Sequence, residues 1–159
     1  MHILVRTMAE ADRSSWARMR SALWPEEAVE DHAREIDGLL SSGEAWGFSA
    51  EVGRAPAGFA ELAIRKHANG CLSRPVLFLE GIWVEEEFRQ HAVGSRLIAH
   101  AAAFAVAQGF TEIGSDADID NLISHAAHRG WGFVETERVV YFRKSLIPDH
   151  RAVRPRAPN

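Results

Sequence analysis

A near-continuous apolar run extends from Val76 to Val84, and only Glu80 and Gly81 interrupt it. A short run of this kind is typical of a strand buried on both faces of a sheet, because neither face then needs polar residues. We therefore predict a central strand at these positions, in a domain built around a sheet.

The segments around this strand alternate between strand-like and helix-like patterns. The pattern predicts strands at 2–6, 45–52, 57–65, 110–115 and 133–143, and helices from a Thr7-x-x-Glu10 capping box to Trp24, from about Glu26 to Gly43, from Val93 to Gly109, and from a cap at Asp118 or Asp120 to about Gly130. The order β-α-α-β-β-β-α-β-α-β indicates one α+β domain with a mixed sheet.

Length and composition set further bounds on the chain. Its 159 residues suit a single domain, which we expect to span residues 1–146. Residues 147–159 are rich in Arg and Pro and have little apolar surface to bury, so we expect a disordered tail there.

Charge and cysteine content narrow the possible partners and compartments. Eighteen Lys and Arg against 22 Asp and Glu give a net charge of −4, which argues against a nucleic-acid partner and favours a cationic one. The single Cys71 cannot form an internal disulfide, and no leader-like segment follows Met1, so we expect a cytoplasmic protein. No apolar run approaches the ~20 residues that cross a bilayer.

Two carboxylates stand where chemistry is expected. Glu80 lies inside the apolar strand, where an unpaired charge is costly, and Gly81 beside it permits a bulge. Asp116 follows the strand that ends at Ser115, and ligand sites of open sheets tend to lie at such strand ends. The alternatives are that Glu80 pairs with an arginine in the core and that Asp116 caps the next helix.

Other site chemistries find little support in the residue pattern. His125 and His128 share a helix face, but no Cys or carboxylate motif completes a metal site, so we expect no metal. A Ser-His-Asp hydrolase is disfavoured because the G-x-S-x-G elbow is absent from the sequence.

The loop from Arg89 to Gly94 opens the helix after the buried strand and has nearly the R/Q-x-x-G-x-G/A form. Together with the order of elements, it resembles the GCN5-related N-acetyltransferase superfamily over about Ile3 to Lys144, which implies a mixed central sheet with helices on both faces. Five segments look like the aminoglycoside 6'-N-acetyltransferases of antibiotic resistance: Leu23-Trp24-Pro25, Asn69-Gly70-Cys71, Phe78-Leu79-Glu80-Gly81-Ile82, Ser115-Asp116 and Glu135-Thr136-Glu137-Arg138.

This resemblance implies acetyl-CoA as donor, a cationic aminoglycoside as acceptor and a homodimer. It implies that Glu80 or Asp116 takes the proton of the attacking amine, and that an acidic, aromatic pocket holds the acceptor through Trp24, Glu26, Glu80, Asp116 and Glu137. The donor would be bound by strand backbone, by the loop and helix start, and by an asparagine of the last helix: Ile82, Trp83, Val84, Arg89, Gln90, His91, Ala92, Val93, Gly94, Ser95, Arg96 and Asn121.

Two departures from the superfamily pattern concern the chemistry. Ala92 stands where the loop usually has its first glycine, and a positive φ there would cost roughly 1–2 kcal/mol. His128 stands where a tyrosine usually protonates the leaving thiolate; a histidine can donate a proton near neutral pH, or it interacts with the helix dipole. Tyr141, the only tyrosine, is a weaker candidate for the donor and fits a packed strand residue better.

Two alternative functions remain open at this point. The chain could acetylate another amine, such as a polyamine or a protein N-terminus. It could also be a non-catalytic acyl-CoA binding or regulatory module, as Ala92 and the missing tyrosine would suggest.

Overall fold

A computed structural model describes residues 1–147 of the chain. Five strands form one sheet in the order β1-β2-β3-β4-β5: β1 (Ile3–Thr7), β2 (Ala45–Val52), β3 (Ala55–Arg65), β4 (Val76–Val84) and β5 (Ile113–Ser115). The first three pairings are antiparallel, and β4 pairs with β5 in parallel. The predicted mixed sheet is confirmed, and the apolar run forms β4 with the predicted bounds.

Four helices accompany the sheet: α1 (Arg13–Leu23), α2 (Val29–Ser42), α3 (Val93–Ala107) and α4 (Leu122–Gly130). Two short 3-10 turns lie at Glu10–Asp12 and Glu86–Phe88. In the part of the chain that the structure describes, no helix is long and apolar enough to span a bilayer.

The helices cover both faces of the sheet. On one face α3 packs Val93, Leu97 and Ala101 against strand residues that include Phe48 and Leu77. The other face carries a second apolar cluster, in which α1 and α2 pack on Phe59: Met8, Trp16, Ala17, Met19, Ile36 and Phe59. Because successive strand residues point to opposite faces, Phe59 and Ala60 fall into different clusters. The α+β architecture with helices on both faces is confirmed.

The start of α1 differs from the predicted capping box. Thr7 is the last residue of β1, paired with Phe48, so its backbone is extended and it cannot cap a helix. Asp12 is the N-cap residue of α1 but makes no side-chain hydrogen bond to the helix; its carboxylate accepts from the Ala9 N–H at 2.9 Å, at the start of the preceding 3-10 turn. The Thr7-x-x-Glu10 prediction was therefore wrong.

The start of α4 also differs from the prediction. Asn121, not Asp118 or Asp120, caps the helix, and its side-chain oxygen accepts from the Ser124 N–H at 3.0 Å. Leu122 and Ile123 are exposed rather than packed inward.

The predicted last strand at 133–143 does not form within residues 1–147. A strand needs a hydrogen-bonded neighbour, and β5, at the sheet edge, ends at Ser115 after pairing with β4 over three positions. Residues 134–147 are all exposed, including Tyr141 at 79% and Phe142 at 93%, so the expectation that Tyr141 is a packed strand residue was wrong. The tail predicted over 147–159 lies, apart from its first residue, outside the described residues.

Candidate active site

The sheet opens between its two parallel strands. Pairing of β4 with β5 covers Leu77, Phe78 and Leu79 and stops at the pair Leu79–Ser115. Beyond Leu79, β4 continues to Val84 and stays paired with β3. The edge of β4 that carries Ile82, Trp83 and Val84 therefore has no strand partner on the β5 side among the described residues, and it is open to a ligand.

A loop and the N-terminus of α3 follow this free edge. Ala92 has φ 63° and ψ 12°, which is the left-handed conformation, and Gln90 has φ 62°. No side chain caps α3, so the amides of its first turn at Val93, Gly94 and Ser95 are available to an anion. The positive φ considered for Ala92 from the sequence is therefore present.

The side chains of the loop fold back toward β4. Arg89 donates from Nε to the Val84 carbonyl at 3.0 Å, and its guanidinium lies 4.8 Å from the centroid of the Trp83 ring. Nδ1 of His91 lies 2.7 Å from the Arg89 carbonyl oxygen. These contacts fix the loop against the end of the strand, so that a loop with two left-handed residues keeps one shape.

Glu80 is the extra residue of a bulge in β4. Glu61 of β3 pairs with Gly81 and Leu62 pairs with Leu79, which leaves Glu80 without an opposite residue. Both carboxylate oxygens of Glu80 accept from Arg65, at 2.8 and 2.6 Å. The alternative that Glu80 pairs with an arginine is therefore confirmed. The pair does not lie in the core as expected, because both side chains are partly exposed.

A cavity of about 620 Å³ lies beside this bulge, between α1, α2 and the sheet. Trp24 is at its wall, where the indole lies so close to Gly81 that a Cβ on the glycine would come within 2.6 Å of the ring. The cavity is lined by four carboxylates and one arginine, besides apolar and aromatic groups: Glu27, Glu35, Glu61, Glu80 and Arg20. Its charge therefore favours a cationic ligand.

A buried ion pair forms the floor of this cavity. Arg20 and Glu61 are 5% and 4% exposed, and Nη1 of Arg20 donates to the two Glu61 oxygens at 2.7 and 2.6 Å. Trp16 donates from Nε1 to Glu61 at 3.1 Å, and Arg20 also hydrogen-bonds Glu35. Burial raises the pKa of the Glu61 carboxyl, against the opposing effect of the Arg20 guanidinium.

The sequence analysis missed Glu61, although a signal for it was present. Glu61 interrupts the apolar stretch of β3 in the same way as Glu80 interrupts β4. The partner Arg20 lies in α1, 41 residues earlier in the chain. The pairing of Glu61 with Arg20 can be recognised only once the packing of α1 on β3 is known.

Glu27, His32 and Glu35 offer ligand atoms within 4.8 Å of one another at the cavity mouth. His32 is already engaged, since Nε2 lies 3.0 Å from the Trp24 carbonyl oxygen and Nδ1 lies 3.4 Å from Nε of Arg20. With one ring nitrogen accepting and the other donating, the ring has no free lone pair for a metal ion.

A second cavity, of about 1,020 Å³, lies between β5, α4 and the segment after α4. It contains the predicted residues Asp116, His128, Glu137 and Tyr141, together with Arg65, which joins it to Glu80 of the first cavity. Glu26 is exposed and lines neither of the two cavities. The structure thus brings Trp24 and Glu80 together in the first cavity. Asp116 and Glu137 lie together in the second cavity, on the other side of Arg65.

His128 is held rigidly inside the second cavity. Nε2 lies 2.9 Å from Oγ of Ser115, and Nδ1 lies 2.8 Å from the Ser124 carbonyl oxygen. The rings of Trp131 and Phe133 lie 5.4 and 5.2 Å from its centroid. The side-chain oxygen of Asn121, a residue predicted to hold the donor, caps α4.

Comparison with known proteins gives a consistent result. The family model described as acetyltransferase (GNAT) family matches residues 8–133. The chain is 45% identical over 134 residues to aminoglycoside N(6')-acetyltransferase type 1 of Serratia marcescens, covering 83% of this chain and 92% of the relative. It is 39% identical to the protein of the same name from Stenotrophomonas maltophilia, covering 91% and 94% of the two chains.

Solved structures agree with this comparison. The structure of AAC(6')-Iy in complex with the bisubstrate analogue CoA-S-monomethyl-acetylneamine superimposes with a TM-score of 0.86 at 36% identity, covering 91% of this chain and 99% of that chain. The aminoglycoside 6'-N-acetyltransferase AAC(6')-Ih from Acinetobacter baumannii gives a TM-score of 0.85 at 35% identity with the same coverage. The resemblance seen in the sequence is confirmed, and the chain belongs to the acetyltransferase (GNAT) family, within the group of the aminoglycoside N(6')-acetyltransferases.

Proposed function

We propose that this chain transfers an acetyl group from acetyl-CoA to the 6'-amine of aminoglycosides and so confers resistance to them. The observation that carries the proposal is the acidic, aromatic cavity beside the free edge of β4, in a chain 45% identical to an aminoglycoside N(6')-acetyltransferase. An aminoglycoside carries several ammonium groups, and a cavity with four carboxylates and one arginine attracts such a polycation. The indole of Trp24 adds a ring face for the sugar and its cations.

The donor fits the opening between β4 and β5. The open edge of β4 at Ile82, Trp83 and Val84, apart from the Val84 carbonyl that accepts from Arg89, would bind the pantetheine arm as an additional strand would. The uncapped start of α3 would receive the phosphates, with positive charge from Arg96 and from the part of the Arg89 guanidinium that β4 leaves free. The left-handed Ala92 already supplies the loop geometry that a glycine would provide.

The acceptor amine must lose a proton before it attacks the thioester. Glu80 and Asp116 are the proposed bases. Each Glu80 oxygen has a second lone pair beyond the one that Arg65 uses, so it can still accept from an ammonium group. Asp116 lies across Arg65 from Glu80 and lines the other cavity, where a water molecule can link it to the amine.

The leaving thiolate needs a proton as well, and His128 is the proposed donor. Its ring is locked by two hydrogen bonds and two aromatic neighbours, so its position is fixed before the substrates bind. Tyr141, which is 79% exposed, is the second candidate, and its place on an extended segment gives it less support.

Mass spectrometry of kanamycin or tobramycin incubated with the chain and acetyl-CoA tests the function. We expect one added acetyl group, which NMR should place on the 6'-nitrogen. Silence with both drugs and turnover of spermidine would show an acetyltransferase for another amine. Binding of CoA without acetylation of any amine would show a non-catalytic module.

Glu80→Gln and Asp116→Asn test the proposed bases. Each variant should lower kcat at least about tenfold, which is about 1.4 kcal/mol of transition-state stabilisation. Glu26→Gln, a change of an exposed carboxylate outside both cavities, measures the effect of removing one negative charge from this surface. Wild-type rates in both base variants would contradict the assignment.

We further propose that two copies of the chain pair through the segment after α4. Residues 134–147 expose Val140, Phe142 and Ile147, each more than 70% accessible, in a sequence with the pattern of a strand. The free outer edge of β5 on a second copy offers the hydrogen-bonding partner that the segment lacks within residues 1–147.

Cytoplasmic residence, with neither nucleic acid nor membrane as partner, stays a prediction from Cys71 and the net charge of −4.

A further inference from the structure

We propose that Ser115 is a catalytic residue that passes a proton from His128 to the sulfur of the leaving thiolate. The inference rests on the proposed acetyl transfer and adds to it the group that contacts the sulfur. It is carried by a connected row of residues that runs from the start of α3 to the end of β5.

The row begins at Gly94, in the first turn of α3. A Cβ at this position would lie 2.8 Å from the indole of Trp131, so Trp131 packs directly on the helix start. The Trp131 ring lies 5.4 Å from the ring of His128, whose Nε2 lies 2.9 Å from Oγ of Ser115. The two ends of this row are the two borders of the opening in the sheet.

Ser115 occupies the point where the opening starts. It is the last residue of β5 and pairs with Leu79, the last residue of β4 that has a β5 partner. A thioester arm that runs along the free edge of β4 from the start of α3 must pass between this point and the bulge at Glu80 and Gly81. The Ser115 hydroxyl is half-buried at this place and faces the imidazole.

The hydrogen bonds of His128 determine the direction of the proton. Nδ1 lies 2.8 Å from the Ser124 carbonyl oxygen, which can only accept, and 3.2 Å from Oγ of Ser124, which can accept as well as donate. The shorter contact, to the carbonyl, assigns a hydrogen to Nδ1. When the ring is neutral, Nε2 has no hydrogen and accepts from the Ser115 hydroxyl. When the ring is protonated, Nε2 donates to the Ser115 oxygen, and the serine hydrogen is released to point toward the opening.

The step balances as follows. The amine nitrogen forms a bond to the carbonyl carbon, and the carbon–sulfur bond breaks with its electron pair going to sulfur. Sulfur takes the hydrogen of the Ser115 hydroxyl, while the Ser115 oxygen takes the Nε2 hydrogen of protonated His128, which becomes neutral. The ammonium substrate loses two protons by way of the base to solvent, and His128 then regains one proton from solvent, so that one proton is released per turnover.

The test uses single-turnover acetyl transfer to an aminoglycoside by the full chain. Ser115→Ala should slow the transfer at least about tenfold, while its Kd for acetyl-CoA, measured by calorimetry, stays within about twofold. Ser115→Thr, which keeps the hydroxyl, should restore most of the rate. Ser41→Ala is the matched control, because the Ser41 hydroxyl bonds only carbonyl groups of its own helix.

A double variant distinguishes a relay from two separate contributions. His128→Gln keeps a hydrogen-bonding group near Ser115 but cannot carry the proton, so it should slow the transfer to a similar extent as Ser115→Ala. The two changes together should cost little more than either alone, because both interrupt one path. Additive losses would overturn the proposal, and so would a wild-type rate in Ser115→Ala.

If Ser115→Ala does not fold, as judged by circular dichroism, His128→Gln and Ser115→Thr decide the matter. A wild-type rate in His128→Gln overturns the relay, and a large loss in it with near-normal Ser115→Thr supports the relay. An active wild-type chain that is indifferent to these changes contradicts the relay alone. A wild-type chain that acetylates no aminoglycoside contradicts the proposed function and the relay together.

Discussion

Ala92 shows how a single residue can hold a conformation that its side chain opposes. Its φ of 63° is one that a residue with a Cβ adopts at a cost of roughly 1–2 kcal/mol. The contacts of the neighbouring Arg89 with Val84 and Trp83 hold the loop against β4 and offset that cost. With glycine at this position, the loop would depend less on the contacts of Arg89 to keep its conformation.

Ala92→Gly should therefore stabilise the folded chain or leave it unchanged. Relief of the strained φ is opposed by the larger conformational entropy of glycine in the unfolded chain, about 0.5–1 kcal/mol, so we expect a gain between zero and about 1.5 kcal/mol in urea unfolding. The affinity for CoA, measured by calorimetry, should be equal or improved. A large loss of affinity would mean that the Ala92 methyl group itself contacts the ligand.

At the scale of elements, the bulge in β4 determines the relation between strand and cavity. The extra residue Glu80 changes the alternation of β4, so that Gly81 faces α1 and meets Trp24 and Leu23. Gly81 has no side chain to displace the indole, and Trp24 can therefore lie against the strand at the cavity wall. The free edge of β4 and the position of Trp24 thus both depend on this short stretch.

Gly81→Ala should push Trp24 away from β4, because the new methyl group would come within 2.6 Å of the indole. We expect KM for the aminoglycoside to rise clearly more than KM for acetyl-CoA, as steady-state kinetics would show. Gly130→Ala is the control, since a Cβ at that exposed position at the end of α4 meets no atom within 4 Å and Gly130 lines neither cavity. Equal effects on both KM values would indicate a general distortion of the sheet.

The contact between β1, β2 and the start of α1 should contribute stability that depends on pH. Arg6 donates to both Asp12 oxygens at 2.8 Å and to Glu51, and its guanidinium lowers the pKa of the Asp12 carboxyl below the usual value. A lowered pKa in the folded state contributes stability above the unfolded value of about 3.9, and this contribution is lost as pH falls through the folded value.

Asp12→Asn should consequently lower the free energy of unfolding at pH 7 and reduce its decrease below about pH 4. Urea unfolding across this range measures both effects. Asp37→Asn provides a comparison, because Arg13 lowers the pKa of Asp37 too, but the pair is exposed and screened by solvent. A larger effect at Asp37 than at Asp12 would contradict the prediction that the Arg6–Asp12 pair stabilises the fold more than the exposed Arg13–Asp37 pair.

At the scale of the whole molecule, the segment after α4 is the least integrated part of residues 1–147. Its apolar side chains are exposed, and a strand pattern without a neighbour is a site for pairing with another chain. The wild-type chain should be a dimer by light scattering at micromolar concentration. Phe142→Ser should shift it toward the monomer, and Leu72→Ser, a change of an exposed apolar residue in another loop, should not.

Much of the fold could be predicted because it follows from local patterns of apolar and polar residues. The apolar stretch at Val76–Val84 needed burial on both faces, and the spacing of Val93, Leu97 and Ala101 placed α3 on the sheet. The final strand was predicted wrongly for the opposite reason. Its β-branched and aromatic residues do favour a strand, but a strand is completed by its neighbour, and the sequence does not specify where that neighbour is.

The sequence by itself determined the family, the elements that surround the opening, and Glu80 as an unusual charged residue within an apolar strand, since these depend on residue type and short spacing. Only the tertiary structure decided the partners: Arg65 for Glu80, Arg20 for Glu61, and Ser115 for His128. The physical reason is that charge pairing and proton transfer depend on distances of about 3 Å between residues far apart in the chain. Such distances result from the packing of helices on the sheet.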